Sequence, residues 1–194
     1  MVLSIISVFG TAQITANAVA NNIAGFGVMV GFAFSYAIVT VVGQCVGAGD
    51  WRAVKYYTSK LLRWSIFSEA LSNIVIFAIL PLLLSLYSVT PESRELAITL
   101  IVLHNICAVP LWTHGFVLPG AMKAIGDAKY VMVAAVVSMF TIRVGLSYVL
   151  GVACEMGVLG VWISMIIDWV GRITCFVLRW NYKMKQNISV TTVE

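Results

Sequence analysis

The chain has 194 residues, of which 61% are hydrophobic and only 10% are charged. A soluble domain of this length needs far more charged residues to cover its surface. The composition therefore excludes a soluble globular domain and predicts an all-α integral membrane protein. The net charge of +4 does not indicate a nucleic-acid partner, because the basic residues lie at the ends of apolar runs. The four widely separated cysteines form neither a zinc-ligand spacing nor a disulfide framework.

The apolar runs predict five complete transmembrane helices preceded by a truncated helical stub. The stub covers residues 1–9 and ends near Gly10, which makes it too short to cross a bilayer. Gly27 and Gly31 form a GxxxG pattern that favours close helix packing, and Pro110 should kink the third span. We expect the complete spans at about residues 11–42, 52–86, 96–119, 130–153 and 157–177.

Related polar turns are expected after the first and the third of these spans. The glycines of each turn should end a helix, and Asp50 can cap the next helix with its side-chain oxygen. The residues assigned to the two turns are Gly43, Gln44, Gly47, Gly49 and Asp50, and then Gly120, Gly126 and Asp127. A third polar turn, between Tyr87 and Glu95, is expected on the opposite side of the membrane.

The distribution of basic residues gives an orientation. If the first turn is cytoplasmic, nine of the twelve Lys and Arg residues lie on the cytoplasmic side. The positive-inside rule therefore predicts a protein of the plasma (inner) membrane with a cytoplasmic C-terminus. We expect one transmembrane lobe at residues 1–185 and a cytoplasmic tail at residues 186–194.

Uncharged polar side chains form two groups that could line a substrate cavity. Gln13, Asn17 and Asn21 recur every four residues on one helical face, where a cavity lining and an interhelical hydrogen-bond seam are equally compatible with the spacing. His104, Asn105 and Trp112 surround the Pro110 kink. Imidazole, amide and indole groups there could form the wall of a site for an organic or cationic ligand, because indole faces attract cations.

Ionisable residues inside the spans are costly and therefore informative. Arg143 has no acidic residue within a turn, so its partner must come from another helix, from backbone carbonyls or from cavity water, and a functional role is left open. Asp168 and Arg172 are four residues apart and should form a structural ion pair. Glu69 is expected to pair with Arg63 or to meet lipid headgroups.

No enzyme motif is present, and we expect neither catalytic residues nor a metal or other cofactor. Three weak motifs do occur in order: residues 43–53, residues 119–127 and Gly157-Val158-Leu159-Gly160-Val161-Trp162. In order and spacing the chain resembles the second half of the multidrug and toxic compound extrusion (MATE) transporters. The resemblance implies the end of the seventh helix plus the eighth to twelfth, which is one lobe of a two-lobe fold.

The same resemblance implies secondary active efflux of organic cations or amphipathic drugs by antiport with Na⁺ or H⁺. The coupling carboxylates of that family lie in the first helix or in the seventh and tenth, and the equivalent of the tenth here, residues 96–122, contains no Asp or Glu. No coupling residue can be carried over, and the coupling ion stays open. The implied partners are membrane lipid, the small-molecule substrate, and either a missing N-terminal lobe or a second copy of the chain.

Two alternatives accompany this expectation. One is a lipid-linked oligosaccharide flippase of the same superfamily, in which Arg143 and Arg172 would meet the pyrophosphate group. The other is a non-transporting membrane fragment. In either the antiporter or the fragment case, we expect the chain to be inactive when it is expressed alone.

Overall fold

The computed structural model describes residues 2–191, and the side chains of residues 4–188. Within residues 2–191 the chain forms helices and short turns and no β-strand. The helices are α1 (Val2–Ile6), α2 (Thr11–Gly47), α3 (Trp51–Ser85), α4 (Pro91–Ala124), α5 (Ala128–Ala153) and α6 (Gly157–Thr191). Helices α2 to α6 are each long and apolar enough to cross a membrane, which confirms five complete spans after a short stub. Met1 of the stub lies outside the described residues.

The turn between α2 and α3 is built on one left-handed glycine. Gly49 has a φ of +71°, and the Asp50 N–H donates back to the Cys45 carbonyl at 3.1 Å, as in a Schellman helix end. The Asp50 side chain then caps α3 by accepting from the Ala53 N–H at 2.8 Å. The prediction that three glycines together end α2 is wrong, because a single residue with positive φ is enough to end the helix. Two of the assigned turn glycines and the neighbouring glutamine lie inside α2: Gly43, Gln44 and Gly47.

The turn between α4 and α5 has the same backbone and a different use of its aspartate. Gly126 has a φ of +85°, and the Asp127 N–H donates to the Met122 carbonyl at 2.9 Å. The Asp127 carboxylate does not cap α5. It accepts instead from Arg179 on α6 at 2.7 and 3.1 Å. Gly120, which was assigned to this turn, lies inside α4 and faces α2, so that assignment is also wrong.

Two helix ends also differ from the sequence prediction. The segment up to Glu95 was expected to be a turn, but α4 begins at Pro91, with the Thr90 hydroxyl accepting from the Ser93 N–H at 3.3 Å. Proline is favoured in the first turn of a helix because its missing N–H has no partner there in any case. At the other end, α6 continues past residue 177 to Thr191. Of the tail predicted at residues 186–194, the part up to residue 191 is helical and residues 192–194 lie outside the described residues.

Helix α2 lies between α3 and α4, and the buried core is divided along these helices. One apolar cluster joins Ile23 of α2 to Leu80 of α3 and Leu100 of α4. A second joins Ile38 of α2 to Leu118 of α4 and Phe176 of α6. Between the two lies a middle zone, in which the buried aromatic residues Trp112 and Trp169 pack with Val28 and Ala108 and buried polar side chains are also present.

Candidate functional site

A cavity of about 670 Å³ opens between α1, α2, α5 and α6. Its polar wall carries Asn17, Asn21 and Asn22 of α2 on one side and Arg143 of α5 on another, and Trp162 of α6 contributes an indole. The remaining lining is mostly apolar. Three of the predicted cavity residues, from two helices far apart in sequence, are thus brought together. A volume of this size is typical of sites for small organic molecules.

The asparagine stripe of α2 serves both purposes that its spacing allowed. Asn17 is buried, and its Oδ1 accepts from the Trp162 indole N–H at 2.9 Å and from the Asn21 amide at 3.0 Å. This network fixes the wall of the cavity to α6. Gln13, one turn earlier, is not part of the cavity lining; its Oε1 accepts from the Val158 N–H at 2.8 Å, at the start of α6. Gln13 is a seam residue.

The ionisable groups of α5 and α6 are arranged so that one positive charge faces the cavity. Asp168 is fully buried, forms an ion pair with Arg172 on the next turn, and accepts from Ser138. The guanidinium of Arg143 is half-buried and, among residues 4–188, makes no hydrogen bond or ion pair. Arg143 lies on a π-helical turn, Met139–Val144, a feature that is frequent at functional sites. Its charge interacts with the nearby Asp168 carboxylate and also faces the cavity.

The predicted wall around Pro110 is not part of this cavity. His104 is buried, its Nδ1 donates to Asn105 Oδ1 at 2.9 Å, and its ring makes edge contacts with Trp162 and Trp169. Trp112 stacks on Phe116 with the ring centroids 3.9 Å apart. His104, Asn105 and Trp112 are therefore not among the residues that line this cavity. The side chains fill the core behind the cavity instead.

A second polar group, which we call the polar layer, lies in the middle zone between α2, α3 and α4. Its members are Ser65, Glu69 and Asn73 of α3 and Asn105 and Thr113 of α4. Ser65 and Thr113 hydroxyls lie 3.1 Å apart, and Thr113 donates to Glu69 Oε2 at 3.4 Å. Glu69 has no exposed surface, so the expectation that it meets Arg63 or lipid headgroups is wrong. Glu69 and Asn73 are four residues apart and so share one face of α3, but this spacing does not indicate that the face is directed inward.

Comparison with known proteins places the chain in a family. Residues 1–149 match the MatE family model. The chain belongs to the MatE family. The uncharacterized transporter YisQ of Bacillus subtilis is 26% identical to this MatE chain over 180 residues, which cover 92% of the chain and 39% of that protein. This agrees with the resemblance indicated by the three sequence motifs.

Two further relatives are named as multidrug resistance proteins. The probable multidrug resistance protein NorM of Thermotoga maritima is 24% identical over 174 residues, covering 90% of the MatE chain and 37% of the relative. The probable NorM of Idiomarina loihiensis is 28% identical over 167 residues, covering 84% of the MatE chain and 36% of the relative. The chain thus spans well under half the length of the curated relatives it matches.

Proposed function

We propose that this MatE chain forms one lobe of a secondary transporter that exports organic cations or amphipathic drugs in exchange for H⁺ or Na⁺. The observation that carries the proposal is the open cavity of about 670 Å³, with an amide wall and an indole in an otherwise apolar surface. Such a surface suits an amphipathic molecule, because the apolar lining contributes affinity and the few polar groups orient the ligand. The multidrug resistance proteins among the relatives support the same class of cargo.

The proposal includes the statement that the lobe does not transport alone. Secondary transporters of this kind move cargo by rocking two repeats against each other around a site at their interface. In the proposal, the open side of this cavity faces the other lobe. The proposal also gives the chain an orientation in the plasma membrane, with the C-terminus in the cytoplasm. This orientation rests on the excess of basic residues on the predicted cytoplasmic side.

One observation favours a second candidate, a lipid-linked oligosaccharide flippase. The unpaired guanidinium of Arg143 faces the cavity and would repel an organic cation, whereas it can bind a pyrophosphate group through charge-assisted hydrogen bonds. The antiporter and the flippase therefore differ in what Arg143 does. In the antiporter it is a tolerated positive charge at the edge of the site; in the flippase it contacts the cargo.

The test is a chimera in which this chain replaces the matched segment of the Idiomarina loihiensis NorM. We expect the chimera to export ethidium from energised cells that lack their own efflux pumps, and the chain alone to export none. Efflux by the chain alone, equal to that of the chimera, would contradict the one-lobe proposal. Arg143→Gln is compared with Arg94→Gln, a change at an exposed position. If Arg143→Gln abolished lipid-linked sugar transport and left ethidium efflux unchanged, the flippase would be the correct function.

A further inference from the structure

The polar layer contains a buried carboxylate with too few partners. Glu69 has no exposed surface and lies in the middle of α3. Its Oε2 accepts one long hydrogen bond, from Thr113 at 3.4 Å, and its Oε1 has no partner among the described residues. A carboxylate removed from water in this way is strongly destabilising unless a positive charge is close to it.

Among the described residues, the ion pairs of the lobe do not include Glu69. Helix α2 contains no Asp, Glu, Lys, Arg or His. The histidines of α4 are both engaged elsewhere: His104 Nδ1 donates to Asn105, and His114 Nδ1 donates to the Pro110 carbonyl at 3.4 Å. On α6, Asp168 and Arg172 are paired with each other. Over residues 4–188, Glu69 itself forms no ion pair.

Other oxygen atoms converge on the same place, against two glycines of α2. A Cβ atom built on Gly27 would lie 3.0 Å from Asn73 Oδ1 and 3.6 Å from Asn105 Oδ1. A Cβ atom on Gly31, one turn later, would lie 3.8 Å from Glu69 Oε2. Asn73 Oδ1, like Glu69 Oε1, is buried without a hydrogen-bond donor in the described part of the chain. The glycines thus let oxygens of α3 and α4 approach α2 in this region, where the Trp112 indole N–H and the Asn105 amide nitrogen are also buried without an acceptor in the described part of the chain.

We propose that the polar layer binds one monovalent cation, a proton or Na⁺, between α2, α3 and α4. Carboxylate, amide and hydroxyl oxygens are hard ligands suited to such ions, and the charge of the ion balances that of Glu69. The Trp112 side chain lies against Gly31 at one end of the site. The proposal that the polar layer binds a cation does not depend on transport. The idea that this cation drives the export of cargo rests on the proposed function.

The experiment measures thermal unfolding of the purified full chain in detergent, without any transport assay. NaCl is compared with choline chloride at constant ionic strength, from mildly acidic to mildly alkaline pH. A bound ion stabilises the folded state, and at a hundredfold excess over its dissociation constant we expect a rise in Tm of about 5–10 °C. Glu69→Gln should remove this rise, while Glu95→Gln, at an exposed position of α4, should retain it.

The two cations give different results. If Na⁺ is the occupant, the rise in Tm requires Na⁺ and is lost in Glu69→Gln. If the occupant is a proton, Na⁺ has no effect on the Tm, and the Tm of the parent falls as the pH rises. Glu69→Gln removes that fall, because the glutamine side chain cannot ionise. Either result supports the site, and both leave the transport proposal to be decided by the chimera.

Equal responses of the parent and Glu69→Gln to Na⁺ and to pH would overturn the proposal. So would a parent chain whose Tm responds to neither. Should Glu69→Gln fail to fold, Thr113→Val replaces it, because this change removes one oxygen and keeps the carboxylate. Thr113→Val should weaken the affinity for Na⁺ several-fold in the Na⁺ titration or, if the occupant is a proton, shift the pH dependence of the Tm. A variant whose titrations match those of the parent would count against the site.

Discussion

Replacing Gly120 by Ala should destabilise the lobe, although alanine is the better helix former. A Cβ atom at this position would lie 2.6 Å from Ile38 Cγ2 and 2.9 Å from the Ser35 carbonyl oxygen, both on α2. Ile38 is fully buried and the Ser35 oxygen belongs to the backbone, so neither can move aside without separating the helices. Overpacking of this kind costs about 1–3 kcal/mol, and we take the upper end because backbone is involved.

The gain in helix propensity from Gly to Ala is about 1 kcal/mol, which leaves a net destabilisation of about 2 kcal/mol for Gly120→Ala. Gly43→Ala is the matched control. Gly43 also lies inside a helix, but no atom lies within 4 Å of a Cβ built there. Only the propensity term then applies, and the control should be stabilised by about 1 kcal/mol.

The measurement is SDS-driven unfolding of each purified variant in mixed micelles, followed by far-UV circular dichroism. We expect the two variants to move in opposite directions from the parent, separated by about 3 kcal/mol in the free energy of unfolding. If Gly120→Ala were as stable as Gly43→Ala, the close approach of α2 and α4 would not be an energetic constraint. The reasoning from the two positions would then be refuted.

Two further changes test the polar contacts at helix ends. The hydrogen bonds from Arg179 hold the pKa of the Asp127 carboxyl below its ordinary value. The pair therefore stabilises the fold at pH values above the ordinary pKa of the carboxyl, and this stabilisation is lost as the pH falls through the lowered pKa of the folded state. Asp127→Asn should therefore flatten the acid side of the SDS-midpoint profile, and an unchanged slope would contradict this. Gln13→Leu leaves the Val158 N–H without its acceptor and should cost about 1–2 kcal/mol in the same SDS assay. Asn22→Leu, at an exposed position of α2, should change the free energy of unfolding by less than about 0.5 kcal/mol, and equal effects would show that the Gln13 contact is dispensable.

The number and order of helices follow from the sequence because long apolar runs have only one stable arrangement in a bilayer. Helix ends do not follow so directly. Pro91 and the acidic residue after it were read as a turn, yet these residue types are also favoured in the first turn of a helix. The polar segment after Val177 likewise does not stop α6, because it contains Arg, Lys and Gln residues, which are good helix formers.

The candidate site was only partly predictable. The four-residue spacing of Asn17 and Asn21 indicates that they share a face, and the missing acidic neighbour of Arg143 indicates that no ion-pair partner lies within a turn of it on its own helix. Glu69 was misplaced because Arg63 precedes it closely in the sequence. Its burial depends on the glycines of α2, which lie far away along the chain and whose role appears only when the helices are packed. Sequence periodicity identifies a face, but the neighbour of that face is set by tertiary packing.

The π-helical turn of α4, Thr113–Val117, has a consequence for how this lobe tolerates change. A π turn contains an extra residue relative to an α turn, so every side chain beyond it is rotated by about 100° from its position in an uninterrupted α-helix. Gly120 lies beyond this turn, and it faces α2 only because of this rotation. A one-residue deletion between Thr113 and Val117 would therefore present a different face of α4 to α2. For this segment the number of residues matters as much as their identity, and insertions or deletions are more damaging than most substitutions.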